Sequence, residues 1–116
     1  MKRISLVIPM YYEEEVADKC YEKVSNVLKG LQDKYDYEII FINDGSKDKT
    51  LEILERIAKK DEKVKIISFS RNFGHQAAVT AGLKEVTGDA IVIIDADLQD
   101  PPELIPEMLR FMGTRI

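Results

Sequence analysis

The sequence predicts a three-layer α/β/α domain built on a doubly wound, mostly parallel sheet. Three observations carry this expectation. Four short apolar runs are rich in β-branched residues, amphipathic helical patterns fill the intervals between them, and each run ends in a polar cluster. Strand patterns alternating with helical ones are the signature of βαβ units. Right-handed crossovers then place helices on both faces of the sheet.

The first run, Ile4-Ser5-Leu6-Val7-Ile8, the second, Tyr37-Glu38-Ile39-Ile40-Phe41-Ile42, and the fourth, Ala90-Ile91-Val92-Ile93-Ile94, are nearly continuous in apolar character. That pattern is expected of parallel strands covered on both faces. The third run, Val64-Lys65-Ile66-Ile67-Ser68-Phe69, alternates more and suits a strand nearer an edge. Between the first two runs, Val16, Cys20, Val24, Val27, Leu28 and Leu31 share one helical face, which predicts a helix over 14–31. Leu51, Ile53, Leu54, Ile57 and Ala58 repeat the pattern, with Lys59 and Lys60 in the last turn, where the helix dipole favours cations. An Ala-rich helix is expected over 76–86, stopping before Gly88. Pro102 suits the first turn of a fourth helix over 103–111.

A chain of 116 residues, 45% apolar and 33% charged, has the size and balance of one soluble globular domain. Its net charge of −4 offers no polyanion-binding footprint, so nucleic acid is not an expected partner. Cys20 is the single cysteine, which excludes an internal disulfide, and its helical setting suits a small semi-buried residue better than a reactive thiol. No signal-peptide pattern is present, and no apolar run approaches the ~20 residues needed to span a bilayer. A cytoplasmic location is expected, compatible with peripheral contact at the cytoplasmic face of the membrane.

In open α/β sheets ligands gather beyond the carboxyl ends of the strands. Polar clusters fall there: Pro9 to Glu15, Asn43-Asp44-Gly45-Ser46, Ser70 to His75, and Asp95 to Asp100. The last is the sharpest. Residues two apart on an extended chain point to one side, so Asp95, Asp97 and Gln99 can face one pocket. Carboxylates so close repel one another unless they are solvated or share a cation. A hard cation such as Mg²⁺ or Mn²⁺ takes a few protein oxygens and completes its shell with water and phosphate. Asp100 reads differently, as the cap of the fourth helix. Asn43-Asp44-Gly45-Ser46 is a turn signal in which Ser46 or Asp48 would cap the second helix, while Asp44 at the strand end can accept hydrogen bonds from a base or sugar. Tyr11 offers an aromatic face, and Glu13 to Glu15 also suit a helix N-terminus. Arg71 is either an ordinary surface arginine or the anion-binding residue, since a guanidinium can hold phosphate bidentately. His75, the only histidine, carries little by itself.

With these residues in place, "LVIPMYYEEE", "INDGSKDKTLEIL", "SFSRNFGHQAAVTAGL" and "IIDADLQDPPELIPEML" resemble, in order, successive motifs of the family 2 GT-A-fold glycosyltransferases. The nearest resemblance is to dolichol-phosphate mannose synthases and bacterial polyprenyl-phosphate glycosyltransferases. It implies the nucleotide-binding half of a GT-A, Rossmann-like fold over residues 1–116. It also implies a nucleotide-diphosphate-sugar donor, a lipid-phosphate acceptor in the full-length protein and a divalent metal. Pro9, Tyr11, Glu13 and Asp44 would line the nucleotide pocket, Asp95 and Asp97 would form the DxD motif, and Asp97 and Gln99 would lie nearest metal and diphosphate, with Asp95 a further candidate ligand. Tyr12 stands where the family often has Asn, and Asn43 where it often has Asp.

The resemblance also implies that the acceptor-binding half, with the catalytic base, is missing after the fourth helix, since Met112 to Ile116 do not continue the pattern. A nucleotide-sugar-binding remnant without catalysis is the first alternative. An uncovered sheet edge would favour a homo-oligomer. Other nucleotide folds fit less well: no G-x-G-x-x-G follows the first strand and no G-x-x-x-x-G-K-[ST] occurs. A phosphoryl-receiver domain would want an acidic pair after its first strand, which Glu13-Glu14 matches poorly, and would leave Asp95 to Glu103 unexplained.

Overall fold

A computed structural model describes residues 2–96; the expected helix over 103–111, with Asp97, Gln99 and Asp100, lies outside them. The order is β1 (Lys2–Met10), α1 (Ala17–Lys29), β2 (Tyr35–Asn43), α2 (Thr50–Lys60), β3 (Val64–Ser68), α3 (His75–Glu85) and β4 (Ala90–Ile93). All pairings are parallel and the sheet order is β3-β2-β1-β4.

The two central strands are buried on both faces, as their apolar runs predict. Ile4, Leu6, Ile8 and Met10 of β1, with Ile39 and Phe41 of β2, pack beneath Cys20, Val24 and Leu28 of α1 and Leu54 and Ile57 of α2. The other faces of these strands present Val7, Ile40 and Ile42 to Ala78 of α3. Full burial of each such side chain is worth roughly 1.5–3 kcal/mol, so these two strands and their helices dominate the stability. Close approach of α3 requires a residue without a side chain: a Cβ on Gly82 would stand 2.6 Å from Val7 Cγ1 and 2.9 Å from Ile42 Cδ1.

The third strand is at an edge, as its alternation predicts. The fourth departs from expectation. Its apolar run suggested cover on both faces, yet only Val92 and Ile94 are buried, while Ile91 and Ile93 are 42% and 47% exposed. Register explains the difference. Ile91 and Ile93 pair with Ser5 and Val7 and so lie on the α3 side. There α3 packs over β1 and β2, and among the described residues β4 pairs with β1 alone. α1 also begins later than predicted, because the Glu13 carbonyl accepts from the N–H groups of both Val16 and Ala17 and closes a turn first.

Toward the amino ends of the strands, a buried polar network joins β1, β2, β3 and the segment after α3. Glu38 Oε2 accepts from Ser5 Oγ (2.6 Å), Thr87 N–H (2.7 Å) and Thr87 Oγ1 (3.0 Å), while Oε1 accepts from Lys65 Nζ (2.8 Å). Burial alone would raise the Glu38 pKa, but the bonds from Lys65, Ser5 and Thr87 outweigh it and hold the carboxyl at about 2. Alongside, Asp36 is bracketed by Lys63 Nζ at 2.6 Å and Arg3 Nη2 at 2.7 Å, which hold its carboxyl well below the usual range.

Candidate functional site

The chain runs from β1 to β2 and β3 on one side, then crosses back to lay β4 on the other, so the winding reverses between β1 and β4. A cleft opens at that switch point, beyond the carboxyl ends of the strands, where such folds bind ligands. It encloses about 450 Å³. Its walls include Pro9, Tyr11 and Glu13 from the end of β1 onward, Asp44 after β2, and Asp95 after β4. Five residues expected from the sequence are therefore brought together. Arg71 is not among them: its guanidinium lies over the Phe73 ring, 4.5 Å from the centroid, outside the cleft lining. Asn72, Gly74 and His75 line the cleft in its place.

Asp44 is buried at the centre of this arrangement. Its Oδ1 accepts the Phe73 N–H (2.8 Å), and its Oδ2 accepts the Gly74 N–H (3.1 Å) and Asn72 Nδ2 (3.0 Å). Its own N–H donates to the Met10 carbonyl at 2.9 Å. Through its main-chain N–H and its side chain, one residue thus ties the ends of β1 and β2 to the β3–α3 loop. An ionised carboxylate has about four acceptor positions, so a single one remains, on Oδ1. Asn43, by contrast, serves the turn: Oδ1 accepts the Ser46 N–H at 3.2 Å and Nδ2 donates to Ser68 Oγ at 3.2 Å. Lys49 holds the N-cap position of α2 without a side-chain cap bond; Asp48, one residue earlier, accepts from the Thr50 N–H and hydroxyl, whereas Ser46, the other capping candidate, turns toward Tyr12.

Tyr12 has φ 53°, the one non-glycine residue in the left-handed region among those described. This conformation costs an L-residue roughly 1–2 kcal/mol, and Asn bears it best because its short side chain bonds locally. Among the described residues the exposed Tyr12 ring contacts only one other ring, Tyr11 edge-on at 4.6 Å. Tyr12→Asn is therefore expected to stabilise the chain by about 0.5–1 kcal/mol, since relief of strain exceeds the loss of an exposed ring pair. A thermal melt checks this; a lower midpoint for the variant would show that the ring contact outweighs the strain.

Asp95 is exposed at the cleft. Among the described residues no group of three His, Cys, Asp or Glu side chains could hold a metal ion. An exposed carboxylate at this position is compatible with a cation that takes only one or two protein carboxylates and phosphate oxygens besides.

A parallel sheet of this order with an acidic, aromatic-rimmed cleft at its switch point defines an open α/β fold with its candidate ligand site beyond the strand ends. The sequence profile of glycosyl transferase family 2 matches residues 5–115, and the chain belongs to that family. It is 55% identical to an uncharacterized glycosyltransferase, YkcC, of Bacillus subtilis over 90% of this chain and 32% of that one. It is 49% identical to a prophage bactoprenol glucosyl transferase homolog of Escherichia coli over 92% of this chain and 34% of that one. The chain thus spans about a third of the length of the curated relatives it matches. Among solved structures, a Pyrobaculum calidifontis mannosyltransferase in complex with GDP-Man and Mn²⁺ superposes with TM-score 0.72 at 22% identity, over 83% of this chain and 28% of that one. Residues 1–349 of Staphylococcus aureus TarS in complex with UDP-GlcNAc give 0.73 at 20%, over 98% and 32%. The fold is that of the GT-A glycosyltransferases.

Proposed function

We propose that these residues are the nucleotide-sugar-binding part of a glycosyltransferase that moves a sugar from a nucleotide-diphosphate-sugar to a polyprenyl phosphate. The observation that carries the reading is the convergence of Tyr11, Glu13, Asp44 and Asp95 on one cleft at the switch point of a family 2 chain. The donor class is supported by the nucleotide sugars held by the two solved relatives, and the acceptor class by the relatives named bactoprenol glucosyl transferases. Tyr11 offers a flat apolar surface to a base, and the remaining acceptor position on Asp44 Oδ1 suits one N–H of a base or one O–H of a sugar. Asp95, Asp97 and Gln99 would hold Mg²⁺ or Mn²⁺, which when bound neutralises charge on the departing diphosphate. A phosphate acceptor has a second pKa near ~6, is largely ionised at neutral pH and needs little help from a base.

Calorimetric titration with UDP-glucose, UDP-N-acetylglucosamine and GDP-mannose, with and without metal, tests the reading. At least one donor is expected to bind in Mn²⁺ and not in EDTA. Asp97→Asn is expected to weaken that binding by about tenfold or more, while Asp100→Asn, which keeps a capable cap, changes it little. No binding of any donor would sink the reading, and equal binding in EDTA would remove the metal from it.

A further inference from the structure

The strained residue Tyr12 lies between two cleft residues, Tyr11 and Glu13. Backbone held in such a conformation persists only where its surroundings over-determine it. Here the surroundings are hydroxyl groups from the β2–α2 loop and from the first residue of α2. The Tyr12 N–H donates to Ser46 Oγ at 2.8 Å, and the Glu13 N–H donates to Thr50 Oγ1 at 3.0 Å. Thr50 Oγ1 spends its own proton on Asp48 Oδ1 at 2.6 Å, which leaves its lone pairs for Glu13. In the opposite sense, the Lys49 N–H donates to Glu14 Oε2 at 3.3 Å. Neither Ser46 nor Thr50 lines the cleft, and Thr50 is fully buried.

We propose that Ser46 and Thr50 are positioning residues, a hydroxyl latch that holds the strained turn after β1 and thereby sets Tyr11 and Glu13 in the cleft. Both bonds go to main-chain amides of consecutive residues, so they fix the backbone that aims the neighbouring side chains, whatever those side chains bind. That the aimed groups receive a nucleotide rests on the function proposed above. The latch itself does not.

The test uses the whole chain with Ser46→Ala and Thr50→Val, and with Ser46→Thr and Thr50→Ser, which keep the hydroxyls. Amide hydrogen exchange, read residue by residue by NMR without ligand, is expected to accelerate at Tyr12 in Ser46→Ala and at Glu13 in Thr50→Val. The expected increase is roughly fivefold or more, the equilibrium value of about one net hydrogen bond, with exchange in β1 and β2 unchanged. Titration with UDP and with GDP in Mn²⁺ is expected to show a similar loss of affinity in both variants and recovery in the hydroxyl-keeping pair. Should Thr50→Val fail to fold, Ser46→Ala, at a less buried position, carries the test. Unchanged exchange at Tyr12 and Glu13 overturns the latch, and so does faster exchange with full nucleotide affinity. If the unaltered chain binds neither nucleotide, the proposed function fails, and the exchange result alone decides the latch.

Discussion

Gly45→Ala is expected to destabilise the chain by roughly 2–5 kcal/mol and to abolish ligand binding in the cleft. Two costs combine. Gly45 has φ 74°, where a Cβ is strained whatever the space around it. The space is also absent, since that Cβ would stand 2.1 Å from the carbonyl carbon of Arg71 and 2.4 Å from the nitrogen of Asn72. The obstruction is backbone, so no side-chain rotation relieves it. The β3–α3 loop must move, and with it the Asn72, Phe73 and Gly74 donors that Asp44 gathers. Gly30 after α1, at φ −67°, is the control; alanine there is expected to fall within about 1 kcal/mol of the parent. Urea unfolding of the two variants measures the contrast. A Gly45→Ala chain as stable as the parent would mean that the loop is free to shift, and that Asp44 does not fix it.

Acid is expected to unfold the protein through Glu38. Its pKa falls from an ordinary 4.5 in the unfolded chain to about 2 in the folded one. A depressed carboxylate stabilises above the unfolded value and loses that contribution as pH falls through the folded value. The contribution is on the order of 3 kcal/mol, complete above about pH 5 and gone near pH 2. Asp36 acts in the same direction, over a window that opens at the lower ordinary value of 3.8 and runs further into acid. Glu38→Gln keeps the shape and removes the titration. It should be less stable at pH 7, and its loss between pH 5 and 2 should be shallower, with Asp36 supplying what remains. Parallel curves for the two proteins would place the acid sensitivity elsewhere.

The central sheet was legible in the sequence because β1 and β2 bury both faces, so every position in them is constrained. The fourth run has the same apolar pattern for a different reason, and its composition could not reveal that α3 covers β1 and β2 while leaving Ile91 and Ile93 exposed. Likewise Glu13 to Glu15 fit a first helical turn by charge alone, whereas a hydrogen-bonded turn delays the helix to Ala17. At the cleft, the convergence of the segments that hold Pro9, Tyr11, Glu13, Asp44 and Asp95 was readable because parallel strands place their carboxyl ends side by side, whereas the choice of Pro9, Tyr11 and Glu13 within them came from the family resemblance. What was not readable were bonds from side chain to distant main chain. Asp44 to the amides of Phe73 and Gly74, Ser46 to Tyr12, and Thr50 to Glu13 leave no pattern in composition or periodicity. The glycine in Asn43-Asp44-Gly45-Ser46 was the available signal, and it read as a turn rather than as a seat for another loop.

The sheet order has a consequence for how the chain comes into being. β1 is flanked by β2 and β4, and contacts such as Arg3 to Asp89 close over 86 positions. On the ribosome, at about 5–20 residues per second, β1 can pair with β2 early, but its other edge stays open for several seconds until residue 90 has emerged. That edge carries unpaired main-chain groups beside a strongly apolar strand, which invites pairing with another nascent chain. The cleft, which needs the ends of β1, β2 and β4 together, cannot be completed before β4 has emerged. Ligand added during synthesis would therefore find no site in which to act as a folding template until the fourth strand has docked.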